Sequence, residues 1–105
     1  LYADEGQITQ ILINLVKNAV QAEARNVVIT AQLTPSEQTV ISVSNDGLPI
    51  SRESQDEIFV PFFTTKQEGT GIGLSLSRQI MRLHNGSLML TRSDESGTVF
   101  TLLFK

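Results

Sequence analysis

Two asparagines one helical turn apart are the first residues in this sequence whose type and spacing could do chemistry. Asn14 and Asn18 lie in segment 7–22, whose apolar residues recur at helical spacing, so both amides share one face of a predicted helix. Asparagine is a poor helix former because its side chain competes for backbone hydrogen bonds. An amide oxygen can ligate Mg²⁺, which prefers oxygen ligands. The pair is therefore either a metal-binding face or a polar face that only solvates the helix.

The polar arc around these asparagines contains no carboxylate. Its members are amides and a single lysine: Gln7, Gln10, Asn14, Lys17, Asn18 and Gln21. A helix face that only meets solvent usually mixes glutamate with lysine. The composition of this arc is therefore unusual for a merely solvated surface.

Asn45 and Thr98 are polar residues that are predicted to face the buried side of a sheet. Asn45 continues the alternation of Ile41 and Val43, and Thr98 is in register with the apolar residues that follow it. The Asn45 amide could accept a hydrogen bond from an exocyclic amine, such as adenine N6, and donate one to a ring nitrogen. The alternatives are an Asx turn that ends the strand at Asn45 and an ordinary strand-forming threonine.

A glycine-rich segment, GTGIG at 69–73, opens a second predicted helix. Alternating glycines let the backbone approach a ligand closely, and a helix N-terminus offers free N–H groups to a phosphate. The spacing is neither that of a Walker A loop nor that of the dinucleotide-binding fingerprint. Lys66 and Arg78 are the cations best placed to meet phosphate oxygens. A flexible linker and two solvated surface charges are the alternatives.

Helices and hairpins must position these residues, and the pattern predicts an α+β fold. The first helix covers 7–22 with Asp4 as its cap, and strands follow at 27–33 and 40–44 around a loop at 34–38. The remaining predicted elements are a short helix near 53–58, a helix marked by Ile72, Leu76, Ile80 and Leu83 and closed by Asn85-Gly86, and a hairpin that pairs 88–91 with 99–104. This order predicts a two-layer α/β sandwich, with a mixed, mostly antiparallel sheet and the helices packed on one face.

Composition excludes several classes of function. The chain has 105 residues and a formal net charge of −3, with no cysteine and a single histidine. Disulfides, thiolate nucleophiles and zinc–sulfur sites are thereby excluded, and the mild acidity argues against nucleic acid as a partner. No apolar run reaches the ~20 residues of a membrane span, so we expect no direct membrane contact. His84 has no nearby carboxylate or second histidine to activate it, so we do not expect it to be catalytic. The start at Leu1 suggests a fragment of a longer protein.

Taken together and in this order, the segments resemble the ATP-binding catalytic domain of sensor histidine kinases, in the GHKL superfamily with its Bergerat fold. The segment QILINLVKNAVQA is similar to the N box, NDGLPI to the G1 box and FVPFFTTK to the F box. GTGIGLSLSRQI is similar to the G2 box, and SGTVFTLLF to the last glycine-containing box. The resemblance covers nearly the whole chain, and we expect residues 1–105 to form a single domain of this kind.

The resemblance implies roles for individual residues. Asn18 would coordinate Mg²⁺ with Asn14 supporting the phosphates, Asn45 would read adenine, and Thr98 would assist Asn45 through a water. Gly69, Gly71 and Gly73 would cradle the phosphates, with Arg78 as a contact, and residues 59–70 would form a lid over ATP. The further nucleotide-binding positions are Lys17, Asp46, Gly47, Ile50, Phe59, Phe63, Thr65, Lys66, Thr70, Ile72 and Leu74.

The resemblance also implies a protein histidine kinase that uses ATP and Mg²⁺. The γ-phosphoryl group would pass to a histidine on a helical dimerisation domain of the same polypeptide, and a response regulator would act downstream. Hydrolytic relatives carry a glutamate one turn before the metal-binding asparagine, whereas Asn14 occupies that position here and cannot act as a general base. A stand-alone ATPase and a nucleotide-binding module without activity are the alternatives. We expect the domain to be cytoplasmic, and the sequence leaves open whether its parent is anchored in the inner membrane.

The G1 segment departs from the family pattern at two positions. Asn45 replaces the usual aspartate, and Pro49 replaces the second glycine. The first change exchanges a charge-assisted hydrogen bond for a neutral one, which is about half as strong. We therefore expect weaker binding of ATP than is usual in the family.

Overall fold

Four antiparallel strands and three helices make up the part of the chain that the computed structural model describes, residues 4–60 and 73–104. The helices are α1 (Glu5–Gln21), α2 (Arg52–Gln55) and α3 (Gly73–Leu83). The strands are β1 (Val27–Leu33), β2 (Thr39–Asn45), β3 (Gly86–Asp94) and β4 (Gly97–Phe104), and the order in the sheet is β1-β2-β4-β3. In the described ranges, no helix has the length and apolar character needed to cross a bilayer.

Helix α1 begins at Glu5 because the Asp4 carboxylate caps it. An Asp4 carboxylate oxygen accepts a hydrogen bond from the Gln7 backbone N–H at 2.9 Å, which satisfies one of the free donors at a helix start. The predicted cap is thus confirmed, and the helix begins two residues earlier than predicted. Its buried side chains, Ile11, Leu15 and Ala19, recur every four residues and pack against the sheet. The apolar arc is wider than this buried stripe, since Val20 is 68 % exposed.

Helix α3 presents a different face to the core from the one predicted. Leu76 and Leu83, expected in the buried stripe with Ile80, are 43 % and 72 % exposed. Ser77 and Met81 are fully buried instead. Ser77 faces α1, where its hydroxyl accepts a hydrogen bond from Asn14. The buried face of α3 is therefore shifted by about one residue from the predicted face. Ile72 lies outside the described residues.

The sheet supplies the other layer of the core. Val43 of β2, Leu88 of β3 and the alternating residues Phe100, Leu102 and Phe104 of β4 are buried against α1 and α3. Burying a side chain of this size contributes about 1.5–3 kcal/mol. The helices do not cover the edge strand β1, since all seven of its residues are exposed. The predicted helix near 53–58 is the single turn Arg52–Gln55, followed by further turns.

A β-bulge changes the register of β3 against β4. Leu88 pairs with Leu102 and Leu90 with Phe100, but the next pairs are Arg92 with Val99 and Ser93 with Thr98. One extra residue on β3 therefore exchanges the two faces of that strand. Without the bulge, Arg92 would follow Leu88 and Leu90 onto the core side. With it, Ser93 takes that side instead, and β3 extends to Asp94, beyond the predicted 88–91.

Gly97 holds a position at the start of β4 that no other residue can fill easily. Its φ is +130°, and a Cβ built there would lie 2.5 Å from the backbone oxygen of Asn45. We predict that Gly97→Ala lowers the free energy of unfolding by about 2 kcal/mol, because both the backbone conformation and the contact become strained. Urea denaturation measures this difference.

Gly6→Ala in α1 is the matched control for that variant. A Cβ at Gly6 meets only the Asp4 carboxylate, at 3.4 Å, and alanine favours a helix by up to about 1 kcal/mol over glycine. Gly6→Ala should therefore leave stability unchanged or raise it. Equal unfolding free energies for wild type and Gly97→Ala would contradict the steric argument.

Candidate functional site

The amide of Asn14 joins the polar face of α1 to the start of α3. Its Nδ2 donates to the Gly73 carbonyl at 3.2 Å and to the Ser77 hydroxyl at 3.0 Å. The Ser77 hydroxyl itself donates to the Gly73 carbonyl at 2.8 Å, and Gln10 donates to the Asn14 oxygen at 3.1 Å. The predicted asparagine face and the last residue of the glycine segment 69–73 thus meet.

Two further residues of the predicted site, Asn18 and Arg78, lie on the two helices that this junction joins. Asn18 follows Asn14 by one turn of α1 and is half-buried, while the neighbouring Lys17 is exposed. On α3, the guanidinium carbon of Arg78 lies 4.2 Å from the centre of the Phe59 ring. This cation–π contact holds the charge of Arg78 near the start of α3. Leu74, also predicted for the site, is partly buried and packs against the core.

Asn45 and Thr98 stand opposite each other at the end of the sheet, as their sequence positions predicted. They are register partners on β2 and β4, and they remain 8 % and 3 % exposed. The Asn45 Oδ1 atom accepts a hydrogen bond from the Gly47 backbone N–H at 2.9 Å, so the Asx turn considered for this residue is present. A carbonyl oxygen has two lone pairs, so this turn fixes the orientation of the amide while leaving a second acceptor position.

The Asp46 carboxylate anchors the segment before β1. One of its oxygens accepts from the backbone N–H groups of Arg25 and Asn26 at 2.7 and 2.9 Å, and the other accepts from the Asn26 side chain at 2.9 Å. These hydrogen bonds, those from Asn26 first, lower the pKa of Asp46 from its ordinary value of 3.8 to about 2. The contacts give Asp46 a structural task next to Asn45.

Gly47 lets the loop after β2 lie against the end of α1. A Cβ built at Gly47 would lie 2.6 Å from the Ala22 backbone oxygen, and that same oxygen accepts a hydrogen bond from the Leu48 N–H at 2.7 Å. The close approach therefore requires glycine at this position. It fixes the loop that carries Asn45 against the same helix that carries Asn18.

Two serines that the sequence analysis did not select join this region. Ser77 links α3 to Asn14, and Ser93 accepts from the Ile50 N–H at 2.7 Å while its hydroxyl lies 2.7 Å from that of Thr98. A signal for Ser93 existed, because strict alternation from Leu88 would place the charged Arg92 in the core row. For Ser77 the sequence gives no such signal, because this residue lies outside the predicted apolar stripe of its helix.

His84 joins the opposite ends of the two long helices. Its Nε2 accepts a hydrogen bond from the Asp4 backbone N–H at 3.1 Å, and its Nδ1 donates to the Ile80 carbonyl at 2.8 Å. Asp4 precedes α1, whereas Asn18 lies in its last turn, which places His84 about 20 Å along the helix from Asn18. These contacts give His84 a structural role, and its lack of a catalytic role stays a prediction.

The described part of the site suits a nucleotide and a metal that binds together with it. Across residues 4–60 and 73–104, no three histidine, cysteine or acidic side chains are grouped to hold a metal ion. Mg²⁺ commonly takes only a few ligands from the protein and others from the phosphates of a substrate. An amide oxygen of the protein together with nucleotide phosphates would meet this requirement. Seven predicted site residues lie outside the described residues: Phe63, Thr65, Lys66, Gly69, Thr70, Gly71 and Ile72.

Comparison with known proteins agrees with this geometry. Residues 3–105 match the model of a protein family described as "Histidine kinase-, DNA gyrase B-, and HSP90-like ATPase". The chain is 40 % identical over 103 residues to the sensor histidine kinase ZraS of Escherichia coli strain K12. That match covers 97 % of this chain and 22 % of ZraS, so the chain spans about a fifth of this relative.

Solved structures give the same result for the fold. The catalytic domain of the histidine kinase ThkA, in a nucleotide-free form, is similar with a TM-score of 0.82 and 41 % identity, over 97 % of this chain and 68 % of that one. Full-length ShkA in complex with AMPPNP is similar with a TM-score of 0.85 and 29 % identity, over 97 % of this chain and 22 % of that one. The predicted α+β fold is therefore confirmed.

The hydrogen bonds to Asp46 generate a prediction about acid stability. Because its folded pKa lies near 2 and its unfolded pKa near 3.8, the carboxylate stabilises the fold fully above about pH 4 and loses this effect as the pH falls toward 2. We predict that Asp46→Asn is less stable than wild type at pH 7, and that the two free energies of unfolding converge between pH 4 and pH 2. Urea denaturation across this range measures both.

Asp56→Asn, a change to an exposed carboxylate that follows α2, is the matched control. The free energy of unfolding of this variant should differ from that of wild type by a constant amount over the same pH range. A constant difference between wild type and Asp46→Asn from pH 7 to pH 2 would refute the assignment of the hydrogen bonds as the source of the low pKa.

Proposed function

The chain belongs to the family of histidine kinase-, DNA gyrase B- and HSP90-like ATPases, and on this premise we propose that residues 1–105 are the ATP-binding catalytic domain of a sensor histidine kinase. The domain transfers the γ-phosphoryl group of ATP to a histidine of a separate domain. The observation that carries the proposal is the contact of Asn14 with Gly73 and Ser77, which brings the asparagine face of α1 to the start of α3.

The adenine base is assigned to the end of the sheet. Asn45 and Thr98 are polar, buried and directly opposed there, and the Asx turn at Gly47 fixes the Asn45 amide. An oriented amide recognises a nucleobase edge by its donor and acceptor pattern. The AMPPNP bound to full-length ShkA, whose fold is similar, supports an adenine nucleotide as the ligand.

The phosphates are assigned to the space between α1 and α3. Lys17, Arg78 and the start of α3 provide positive charge and the N-terminal end of a helix dipole, which favours anions. Asn18 is the residue we assign to Mg²⁺, through its amide oxygen, with Gly69, Gly71 and Gly73 near the phosphates. When bound, Mg²⁺ neutralises negative charge that develops on the transferring phosphoryl group.

The contacts of Asn14 support transfer to a protein nucleophile over hydrolysis. Its NH₂ group donates to Gly73 and Ser77 and its oxygen accepts from Gln10, so the side chain is part of the α1–α3 junction. A neutral amide cannot take a proton from water near neutral pH. The domain therefore holds and orients the nucleotide, and the acceptor must bring its own nucleophile, for which an imidazole nitrogen is suited.

The acceptor histidine is proposed to lie on a helical dimerisation domain of the same polypeptide. We do not assign His84 as the acceptor, because its Nε2 accepts from the Asp4 backbone N–H before α1 and its Nδ1 donates to the Ile80 carbonyl of α3. A response regulator would then receive the phosphoryl group, as in two-component signalling. We assign the domain to the cytoplasm, where ATP is supplied, and assign it no nucleic acid partner.

The direct test follows phosphoryl transfer in the full-length protein. Incubation with γ-labelled ATP and Mg²⁺ should place acid-labile, alkali-stable label on a histidine outside residues 1–105. We predict that Asn18→Ala reduces labelling by at least about tenfold, because one metal ligand is lost, and that Gln7→Ala at the far end of the same helix has no effect. Nucleotide hydrolysis without labelled protein would indicate a stand-alone ATPase, and the absence of ATP binding would refute the proposal.

Asn45 provides a test of the departure from the family pattern. We predict that Asn45→Asp tightens the binding of Mg-ATP by about three- to tenfold, because a carboxylate accepts from the adenine amine with a charge-assisted hydrogen bond. Isothermal titration calorimetry measures the Kd. Gln32→Glu, at an exposed position of β1, controls for added negative charge. Weaker binding by Asn45→Asp would contradict the assignment of the base to Asn45.

A further inference from the structure

The edge strand β1 carries an apolar row that the described residues leave exposed. Ile29 pairs with the core residue Val43, and opposed residues of antiparallel strands share a face of the sheet, so Ile29 lies on the core side. Side chains alternate between the two faces, which places four residues of β1 on that side: Val27, Ile29, Ala31 and Leu33. All four are exposed, Ile29 by 49 % and Leu33 by 72 %.

Helix α1 turns a second apolar row toward the same space. Asn14 faces α3, and at about 100° per residue Val16 and Val20 lie on the opposite side of α1. Val16 is half-buried, whereas Val20 is 68 % exposed. Since α1 contacts β2 and α3 contacts β3, the side of α1 that faces away from α3 is the side toward β1. We call Val16, Val20 and the four core-side residues of β1 the β1 shelf.

The β1 shelf has the shape that a further helix would fill. Packed helices lie about 8–10 Å apart, which is about two strand spacings, so a helix beside α1 would lie above β1 and its free edge. It would bury Val20, Ile29 and Leu33 between itself, α1 and the sheet. Its own side facing the shelf would have to be apolar and its other side polar, which describes an amphipathic helix.

The composition of β1 is that of a covered strand. Its seven residues, VVITAQL, include no charged residue and no proline. Edge strands that stay in contact with water usually carry lysine, proline or a bulge, which prevent association, and exposed apolar patches commonly mark binding surfaces. The β1 shelf therefore indicates an occupant.

We propose that an amphipathic helix of the same polypeptide, from the residues that precede residue 1, packs on the β1 shelf and completes the helical layer. The ThkA catalytic domain has a similar fold, and this chain covers 68 % of it, so about a third of that domain has no counterpart here. Consecutive elements are usually neighbours in space, so an element before α1 is expected beside α1. An element after β4 has no free place next to that strand, because β4 has a partner strand on both sides.

The test compares two neighbouring positions of β1 in the full-length protein. Val28 and Ile29 are similarly exposed, at 54 % and 49 %, but lie on opposite faces of the sheet. Residues 1–105 contain no cysteine, so Val28→Cys and Ile29→Cys each add a single thiol to them. We expect a maleimide to modify Ile29→Cys at least about tenfold more slowly than Val28→Cys, because the helix must first move away. Mass spectrometry of the tryptic peptide 26–52 measures both rates.

A second pair of variants and a photo-cross-link identify what covers the β1 shelf. Leu33→Cys should likewise react more slowly than Gln32→Cys, and this pair replaces the first if circular dichroism shows that Ile29→Cys does not fold. A diazirine amino acid in place of Leu33 should cross-link on irradiation to the segment that precedes residue 1. The product should have the mass of one chain, at a yield that does not depend on protein concentration.

Equal rates for Val28→Cys and Ile29→Cys would overturn the inference, since an open β1 shelf leaves both thiols accessible. A cross-linked product of twice the chain mass would assign the β1 shelf to a second copy and overturn it as well. A cross-link to residues after 105 or to another protein would do the same.

The outcomes are independent of those that test the proposed function, because the labelling uses no nucleotide. Protein that protects Ile29→Cys but binds no ATP would refute the proposed function and leave the occupied β1 shelf standing. Protein that binds ATP and transfers the phosphoryl group, with equal labelling at both positions, would do the reverse.

Discussion

The structure depends on one polar contact between two helices, the amide of Asn14 against the start of α3. Asn14 donates to Gly73 and Ser77, and the amide carries both hydrogen bonds at the partly buried face where α1 meets α3. A neutral hydrogen bond contributes about 0.5–1.5 kcal/mol, and leaving such a group unpaired when buried costs more. This contact therefore specifies how α3 begins relative to α1. Asn18 and Arg78 lie on the two helices that it joins.

The opposite wall of the site is set by the sheet and by a tightly held loop. The end of β2 turns at Asn45, where an Asx turn and the missing Cβ of Gly47 bring the chain against the end of α1. Asp46 fixes the same turn to Arg25 and Asn26. The position of Asn45 is thus fixed by its own turn and by the loop that follows it. Substitutions in these supporting groups would alter nucleotide binding by moving Asn45.

Much of this arrangement could be predicted from the sequence, since periodicity and caps are local signals. The alternation of Ile41, Val43 and Asn45 placed the Asn45 amide correctly on the core side of the sheet, and the cap at Asp4 was predicted from one residue. The errors arose where tertiary contacts override the pattern. Leu76 and Leu83 follow helical spacing but are exposed, because α3 turns Ser77 inward toward Asn14. A bulge is a departure from alternation, so the pairing of Ser93 with Thr98 could not be read from alternation alone.

The central claim is that a magnesium nucleotide lies between the asparagine face of α1 and the start of α3, and paramagnetic broadening tests it most directly. In ¹H–¹⁵N spectra, Mn²⁺ added with ATP in place of Mg²⁺ broadens signals within about 15 Å of the metal. The account predicts selective loss of the signals of Asn18 and Gly73, while those of Asp4 and His84, at the far end of α1, persist. Loss of the Asp4 and His84 signals with those of Asn18 and Gly73 intact would contradict it.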